Sequence, residues 1–328
     1  MEGLRLEWEL VRQQIPKDAR IASIYFGGGT PSLLPCHHLE QILGWTRTIP
    51  WTSDCEITLE ANPEEADFDA YSKIGINRVS IGVQSLDDRS LQTLERTHSA
   101  KKAIEAIHTA ADAGISNISI DLMYDLPNQT ESSWTYTLKQ LESLPIQHLS
   151  LYNLTIEPHT AFAKRSLTQP SSEQSLRFLE LATDQLKHLG FHRYEISAFA
   201  KNNHTSRHNL GYWTYRPFFG LGPSAFSYWN GERFQNIPRL HKYTALLKEG
   251  KSPVSFREKL DFPNNIHEQL AVGLRLLAGT QLSPSLPQTT RTTLHELQKQ
   301  HLVTLTNDTA KLTERGLLLY DEIASRLI

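Results

Sequence analysis

The sequence predicts an α/β protein: a partial (β/α)6 barrel that lacks its first strand, followed by a C-terminal α+β domain that resembles a winged helix. Between about residues 20 and 200, short β-branched runs closed by polar or Gly/Pro residues alternate with segments of 3.6-residue apolar spacing. Polar residues recur where these runs end, which is the face on which a (β/α) barrel builds its active site.

The first predicted element is an amphipathic helix, because apolar residues from Leu4 to Ile15 follow a helical spacing. A helix in this position normally follows a strand and its loop. We therefore expect an opening strand to be missing and one sheet edge to be unpaired. Six strands are predicted after this helix, at residues 21–26, 56–59, 78–83, 117–123, 148–154 and 193–198.

Helices are predicted between these strands from their apolar spacing. The clearest patterns are Leu39, Ile42 and Leu43 before the second strand, and Ala103, Ile104, Ile107 and Ala111 before the fourth. Parallel strands joined by helices cross over right-handedly, so the repeated units wind into a barrel or a doubly wound sheet. The barrel is favoured because polar groups end several successive strands.

The pattern changes after about residue 200, and three parts are expected: a barrel at 1–200, an aromatic-rich irregular cap at 201–264 and a winged-helix-like domain at 265–328. In the last part we predict helices at 267–277 and 292–300, a strand at 302–305 and a final helix. Thr313 is the expected N-cap of that final helix.

The composition limits the possible partners and location. The 33 basic and 36 acidic side chains give a net charge of -3, so no field exists to neutralise nucleic-acid phosphates. No window approaches the ~18 uncharged apolar residues of a membrane-spanning helix, so a cytoplasmic protein is expected. The two cysteines, Cys36 and Cys55, match neither a disulfide framework nor a metal motif and are interpreted as incidental thiols.

Four segments carry a resemblance to a known family. They are YFGGGTPSLL at 25–34, LEANP at 59–63, NRVSIGVQS at 77–85 and DLM at 121–123. The glycine run alone is equally compatible with a tight turn that binds nothing. In this order, however, the segments resemble the oxygen-independent coproporphyrinogen III oxidase and heme chaperone family of radical SAM proteins, and the match extends to LP at 126–127 and IEPHT at 156–160.

The resemblance implies a site for S-adenosylmethionine. In that family the glycine loop holds the methionine part, which by position implies Gly28, Gly29 and Thr30, and the same cofactor is lined by residues equivalent to Glu60, Gln84, Arg96 and Asp121. These residue types suit a zwitterionic amino acid and ribose hydroxyls. The alternatives are a helix-face ion pair for Arg96 and a structural cap at the barrel mouth for Asp121.

A further segment, HNLGYW at 208–213, matches the HNxxYW pattern of the heme chaperone branch. The resemblance implies that His208 ligates heme iron, and Tyr212 and Trp213 could pack against the porphyrin. Judged from the residues alone, a histidine near aromatic rings is more often packed and hydrogen-bonded within the protein.

The family's CxxxCxxC motif is missing from this sequence, so no metal ligands are assigned in this chain. We expect a [4Fe–4S] cluster in a full-length form only, because three soft thiolates hold its irons. Either the gene is read from an internal methionine or the protein is a natural remnant, and the missing strand favours the first. Asp125, where the family usually has glycine, is a second departure.

The resemblance therefore implies a radical SAM heme chaperone that passes heme to acceptor proteins, with an electron donor for the cluster. The sequence leaves open whether the chain forms a homodimer. One alternative is an oxygen-independent oxidase that decarboxylates the propionates of coproporphyrinogen III. Another is a non-catalytic protein that binds heme and S-adenosylmethionine without a cluster.

Overall fold

The computed structural model describes residues 1–64, 66–156, 162–165 and 167–328. The chain divides into two compact units, one made of Met1–Ala22, His37–Cys55 and Arg207–Ile328, the other of Ser23–Cys36 and Glu56–Ser206. The boundaries expected at residues 200 and 264 stay predictions. Within the described ranges, no helix has both the length and the apolar character needed to cross a bilayer.

The second unit is organised by a seven-stranded sheet. Its strands are β1 (Ile21–Phe26), β2 (Trp51–Ala61), β3 (Arg78–Gln84), β4 (Asn117–Tyr124), β5 (His148–Asn153), β6 (His192–Glu195) and β7 (Ala198–Ala200). They are ordered β1-β2-β3-β4-β5-β7-β6, with β2 to β5 paired in parallel. The first five predicted strands are confirmed, and the sheet is that of a partial barrel with β1 at one edge.

The sixth predicted strand, at residues 193–198, is wrong. The chain instead makes a turn at 196–197, and β7 pairs antiparallel with both β5 and β6. Arg193 stabilises this turn, since its Nε donates a hydrogen bond to the Ile196 carbonyl at 3.0 Å. The turn has neither glycine nor proline, so the sequence reads as one continuous strand.

Apolar side chains occupy one face of the sheet, because successive residues of a strand point to opposite faces. Helix α5 (Ala100–Asp112) packs against β3 and β4 on this face, and α7 (Ser172–His188) packs against β4. Each of the central positions is at most 4% exposed; they are Ile57, Leu59, Val79, Ile81, Ile118, Ile120 and Leu149. Burial of this face supplies the main hydrophobic contribution to the stability of the unit.

The opposite face of the same strands is polar and also largely buried. It carries Glu56, Thr58, Glu60, Arg78, Ser80, Ser119, Asp121, His148 and Ser150. His148 lies between Ser119 Oγ, 2.8 Å from its Nδ1, and Tyr194 Oη, 2.9 Å from its Nε2. Burial lowers the pKa of His148 well below its ordinary value, so the ring is neutral. The lumen face of the partial barrel is therefore held by internal polar contacts.

The helices of this unit begin where side chains cap their first turns. They are α3 (Phe68–Ile74), α4 (Asp88–Thr93), α5 (Ala100–Asp112), α6 (Glu131–Gln140) and α7 (Ser172–His188). In each, the N-cap side chain accepts a hydrogen bond from a backbone N–H three residues ahead; the caps are Asp67, Asp87, Ser99, Thr130 and Ser171.

The first unit contains α1 (Glu2–Arg12), most of α2 (Cys36–Thr46), α8 (Arg207–Trp213) and α9 (Leu240–Lys248). It also contains an antiparallel sheet of β8 (Phe226–Trp229), β9 (Glu232–Asn236) and β10 (Val254–Lys259), in the order β10-β9-β8. The prediction that residues 201–264 are irregular is therefore wrong. Asn230 and Gly231, both at positive φ, form the tight turn between β8 and β9.

The C-terminal part of the first unit is the expected α+β arrangement. Its elements are α10 (Asn264–Gly273), β11 (Thr280–Gln281), α11 (Gln288–Lys299), β12 (Val303–Leu305), β13 (Thr309–Leu312), α12 (Glu314–Leu318) and α13 (Tyr320–Leu327). Its three short strands pair antiparallel in the order β11-β13-β12. Thr313 is the predicted N-cap, because its hydroxyl accepts the Gly316 N–H at 3.0 Å.

A buried carboxylate anchors α1 within the first unit. Glu7 is 3% exposed, and its Oε2 accepts hydrogen bonds from Gly222 N at 2.7 Å and Tyr243 Oη at 2.5 Å. Asn236 Nδ2 donates to the other carboxylate oxygen. Burial raises the pKa of Glu7, and the three donors oppose that rise. Glu7 thus connects α1 to three residues that lie 215 to 236 positions later in the sequence.

We expect Glu7→Gln to lower the free energy of unfolding by about 1–3 kcal/mol. The amide NH2 of glutamine cannot accept a hydrogen bond, so at least one of the buried donors around Glu7 would lose its acceptor. Urea denaturation of the purified chain measures this change. Glu9→Gln is the matched control, since Glu9 lies on the same helix in an exposed pair with Arg12; its loss should stay below about 1 kcal/mol. Equal losses for the two variants would contradict the anchoring role.

Candidate functional site

The glycine loop follows β1 directly. Gly28 and Gly29 have φ angles of 83° and 149°, which side chains other than glycine rarely adopt. Both residues are exposed, and no atom lies within 4 Å of the position that a Cβ would take. Thr30 follows at the start of a short 3-10 turn (Pro31–Leu33), where its side chain makes no capping hydrogen bond. The loop thus presents backbone over an open surface.

Glu60, near the end of β2, holds this loop. Its Oε1 accepts a hydrogen bond from Tyr25 Oη at 2.7 Å, and its Oε2 accepts one from Gly28 N at 3.3 Å. A Cβ at Gly27 would come within 2.6 Å of the Tyr25 ring and 3.0 Å of Glu60 Oε1, so glycine is required there. Tyr25 and Gly27 were not among the predicted site residues, although strand alternation places Tyr25 on the lumen face.

Arg96 and Gln84 meet beside the end of β3. Arg96 Nη2 donates hydrogen bonds to Asn62 Oδ1 at 3.2 Å and to the Gly82 carbonyl at 3.3 Å. A Cβ on Gly82 would lie 3.1 Å from Gln84 Nε2 and 3.5 Å from Arg96 Nη2, so both side chains approach the same backbone position.

The two hydrogen-bond acceptors of Arg96 described above are uncharged. Burial lowers the pKa of its guanidinium, which Glu64 partly offsets. Within the described part of the chain, no carboxylate lies at ion-pairing distance from this guanidinium, so the described contacts do not include the helix-face ion pair considered above.

Asp121 lies on the lumen face of β4. Ser80 Oγ donates a hydrogen bond to its Oδ1 at 3.3 Å. Burial raises the pKa of Asp121 to about 6 and the nearby Glu60 adds to this rise, whereas the Ser150 hydroxyl and Arg78 oppose it. At pH 7 this carboxylate is therefore mostly ionised, and it becomes protonated below about pH 6. Ser80 and Ser150 are supporting residues that the sequence did not indicate.

The structure brings the predicted residues of the second unit to one end of the sheet. Gly28 touches Glu60, and Glu60 acts electrostatically on Asp121. Glu60 is also the register partner of Ser80, whose hydroxyl binds Asp121. Arg96 and Gln84 adjoin the same strand end. The GGG loop, two carboxylates, one amide and one guanidinium thus surround the mouth of the lumen.

The candidate heme ligand belongs to the other compact unit. His208 lies in α8, and its Nε2 is 2.8 Å from Tyr212 Oη. Tyr212 packs edge-on against Phe218, with ring centroids 4.7 Å apart, and the Arg275 guanidinium lies 4.3 Å from the Trp213 ring. Trp213 Nε1 is buried without a hydrogen-bond partner among the described residues. An imidazole within a group of aromatic rings is chemically suited to heme iron and the porphyrin plane.

The cysteines do not suit an iron–sulfur cluster. The sequence has only Cys36 and Cys55, and such a cluster takes three or four thiolates. In the ranges that the structure covers, no three His, Cys, Asp or Glu side chains gather where they could hold a metal ion. The residues of this chain therefore do not fit the cluster.

Two further features of the sequence concern the strand ends. Asp125, where the related family usually has glycine, adopts a φ of 62°, so the position does favour glycine. The residue is 7% exposed, and burial raises the pKa of its carboxyl group. The EPHT segment at 157–160 lies outside the described residues.

Comparisons with known proteins agree with this architecture. A family model described as "Radical SAM superfamily" matches residues 5–141 of this chain. The coproporphyrinogen III oxidase (HemN) of Escherichia coli, a radical SAM enzyme, superposes with a TM-score of 0.85 over 99% of this chain and 81% of its own. Since the two are 23% identical, this likeness shows a common fold.

Closer relatives in sequence carry the name heme chaperone HemW. The protein from Bacillus subtilis (strain 168) is 32% identical over 319 residues, which cover 92% of this chain and 84% of the relative. The protein from Mycobacterium tuberculosis (strain ATCC 25618 / H37Rv) is 31% identical over 99% of this chain and 85% of the relative. This chain therefore belongs to the heme chaperone HemW family within the radical SAM superfamily.

Proposed function

We propose that this chain binds heme through His208 and passes it to acceptor proteins, and that the mouth of its partial barrel binds S-adenosylmethionine. The observation that carries the heme assignment is the arrangement on α8, where His208 lies one helical turn from Tyr212. The relatives named above are heme chaperones, which supports the same assignment.

The chemistry of α8 supports heme over other ligands. Imidazole nitrogen is a common axial ligand of heme iron. Tyr212, Trp213 and Phe218 supply apolar ring surface next to that nitrogen. A porphyrin buries a large planar apolar surface, and aromatic side chains suit such a plane.

The mouth of the lumen supports an amino-acid nucleoside. The exposed backbone of Gly28, Gly29 and Thr30 can approach the methionine carboxylate closely, and Arg96 is a cation with neutral direct partners that can pair with it. Glu60 is the matching acceptor for an ammonium group. Asp121 and Gln84 are suited to ribose hydroxyls.

The proposal is limited to binding and transfer. Reductive cleavage of S-adenosylmethionine requires an electron from a cluster, and this chain's thiols do not fit one. Propionate decarboxylation is not proposed, because the likeness to the oxidase shows the fold alone. A cytoplasmic location, an electron donor and a homodimer remain predictions.

His208→Ala should weaken hemin binding at least tenfold while leaving S-adenosylmethionine binding unchanged, because the axial ligand is lost and the two proposed sites use different residues. Soret titration with hemin and calorimetric titration with S-adenosylmethionine measure the two affinities. His204→Ala is the matched control, since His204 lies outside α8. If both variants bind hemin like the parent, His208 is not the ligand.

Asp121→Ala should weaken S-adenosylmethionine binding by about 1–3 kcal/mol, the scale of a lost hydrogen bond to a charged group. Calorimetry on the folded variant measures this loss. Asp112→Ala, at an exposed position on α5, should bind like the parent. An unaltered affinity for Asp121→Ala would show that Asp121 is purely structural.

The affinity for S-adenosylmethionine should also depend on pH. The raised pKa of Asp121, about 6, means that the carboxylate is ionised above this pH and neutral below it. Since the ligand is cationic and its hydroxyls favour a carboxylate acceptor, affinity should be constant around pH 7, below the pH of about 8 at which an α-amino group loses its proton. It should fall by up to about tenfold per unit below pH 6. In Asp121→Asn this decline should disappear, and a parent profile that is flat down to pH 5 would disagree with the assignment.

A further inference from the structure

The Nε2 of His208, a ring nitrogen that could bind heme iron, is already engaged. Its Nε2 lies 2.8 Å from Tyr212 Oη, and the two rings meet edge to face with centroids 4.8 Å apart and an interplanar angle of 82°. The residues are four apart on α8, so the helix itself brings the two side chains together.

The direction of this hydrogen bond follows from the chemistry of the two groups. A phenol, with an ordinary pKa of about 10, is protonated at neutral pH and is a stronger donor than the N–H of neutral imidazole. The hydroxyl therefore donates, and Nε2 accepts with its lone pair. Iron ligation uses the same lone pair, so Nε2 cannot bind iron and accept the phenol hydrogen at the same time.

Tyr212 is held in place by contacts other than the one with His208. Its ring packs against Phe218. Arg216 stabilises the segment around α8, because its Nη2 donates a hydrogen bond to the Arg207 carbonyl at 2.8 Å. The same guanidinium fills the space that a Cβ of Gly211 would occupy. The hydroxyl thus has a preferred position within reach of His208.

We propose that the Tyr212 hydroxyl is an internal competitor for the His208 nitrogen that binds heme iron. This inference rests on the proposed function. Heme binding displaces the phenol hydrogen bond, and the phenol regains the imidazole when iron leaves. The exchange weakens the complex and assists release, which a protein that must hand its heme on requires.

Tyr212→Phe tests this role, because it removes the hydroxyl and keeps the ring. We expect hemin to bind about three- to tenfold more tightly, the scale of one net hydrogen bond. We also expect slower release to excess apomyoglobin. Soret titration and stopped-flow transfer measure the two effects. Tyr215→Phe is the matched control, since the Tyr215 hydroxyl bonds to Glu268 at 2.8 Å, and it should bind hemin like the parent.

A second pair of variants separates this inference from the proposed function. His208→Ala and the double variant His208→Ala/Tyr212→Phe should bind hemin equally weakly, because the competitor acts only through His208. Unchanged or weaker binding by Tyr212→Phe, with His208→Ala still defective, would overturn the competitor role alone. If His208→Ala binds normally in both backgrounds, the proposed heme ligand and its competitor both fail.

Discussion

A sheet that is buried on both faces keeps the polar groups of its lumen face largely away from water. The charged and hydroxyl side chains of β2 to β5 therefore interact mainly with one another, although Thr58 Oγ1 makes no hydrogen bond among the described residues. Arg78 is the centre of this set: it is 2% exposed, its Nε lies 3.9 Å from Glu56 Oε2, and its charge favours ionisation of Asp121. A buried cation without such partners would cost several kcal/mol. The candidate site at the mouth is the exposed end of this paired interior.

The five parallel strands could be predicted because β-branched runs with polar closures are a local signal. The chain reversal between β6 and β7 could not be predicted. Its turn is stabilised by a hydrogen bond from the Arg193 side chain, which apolar spacing does not indicate. The hairpin of β8 and β9 had a signal in Asn230 and Gly231 that the surrounding aromatic residues obscured. The burial of Glu7 had no signal in the sequence, because an acidic residue on a helix is normally exposed.

Some residues of the candidate site could be predicted from the sequence, and others could not. The resemblance to known proteins indicated residue types at strand ends, and the structure gathers them because parallel strands end at one edge. The supporting residues Tyr25, Asn62 and Ser80 act across 34 to 41 positions of sequence, which no pattern reveals. By contrast, the pairing of His208 with Tyr212 follows from helical geometry alone.

The reversed strand β7 gives the parallel sheet a defined end. Since β7 fills the hydrogen-bonding edge of β5, a further strand on that side could join only at β6, one strand removed from the polar residues of β5. A strand added at β6, by insertion into this chain or by association with another, would therefore not alter the positions of the residues at the mouth. A strand added at β6 would leave the register of β2 to β5, which carry the candidate site, unchanged.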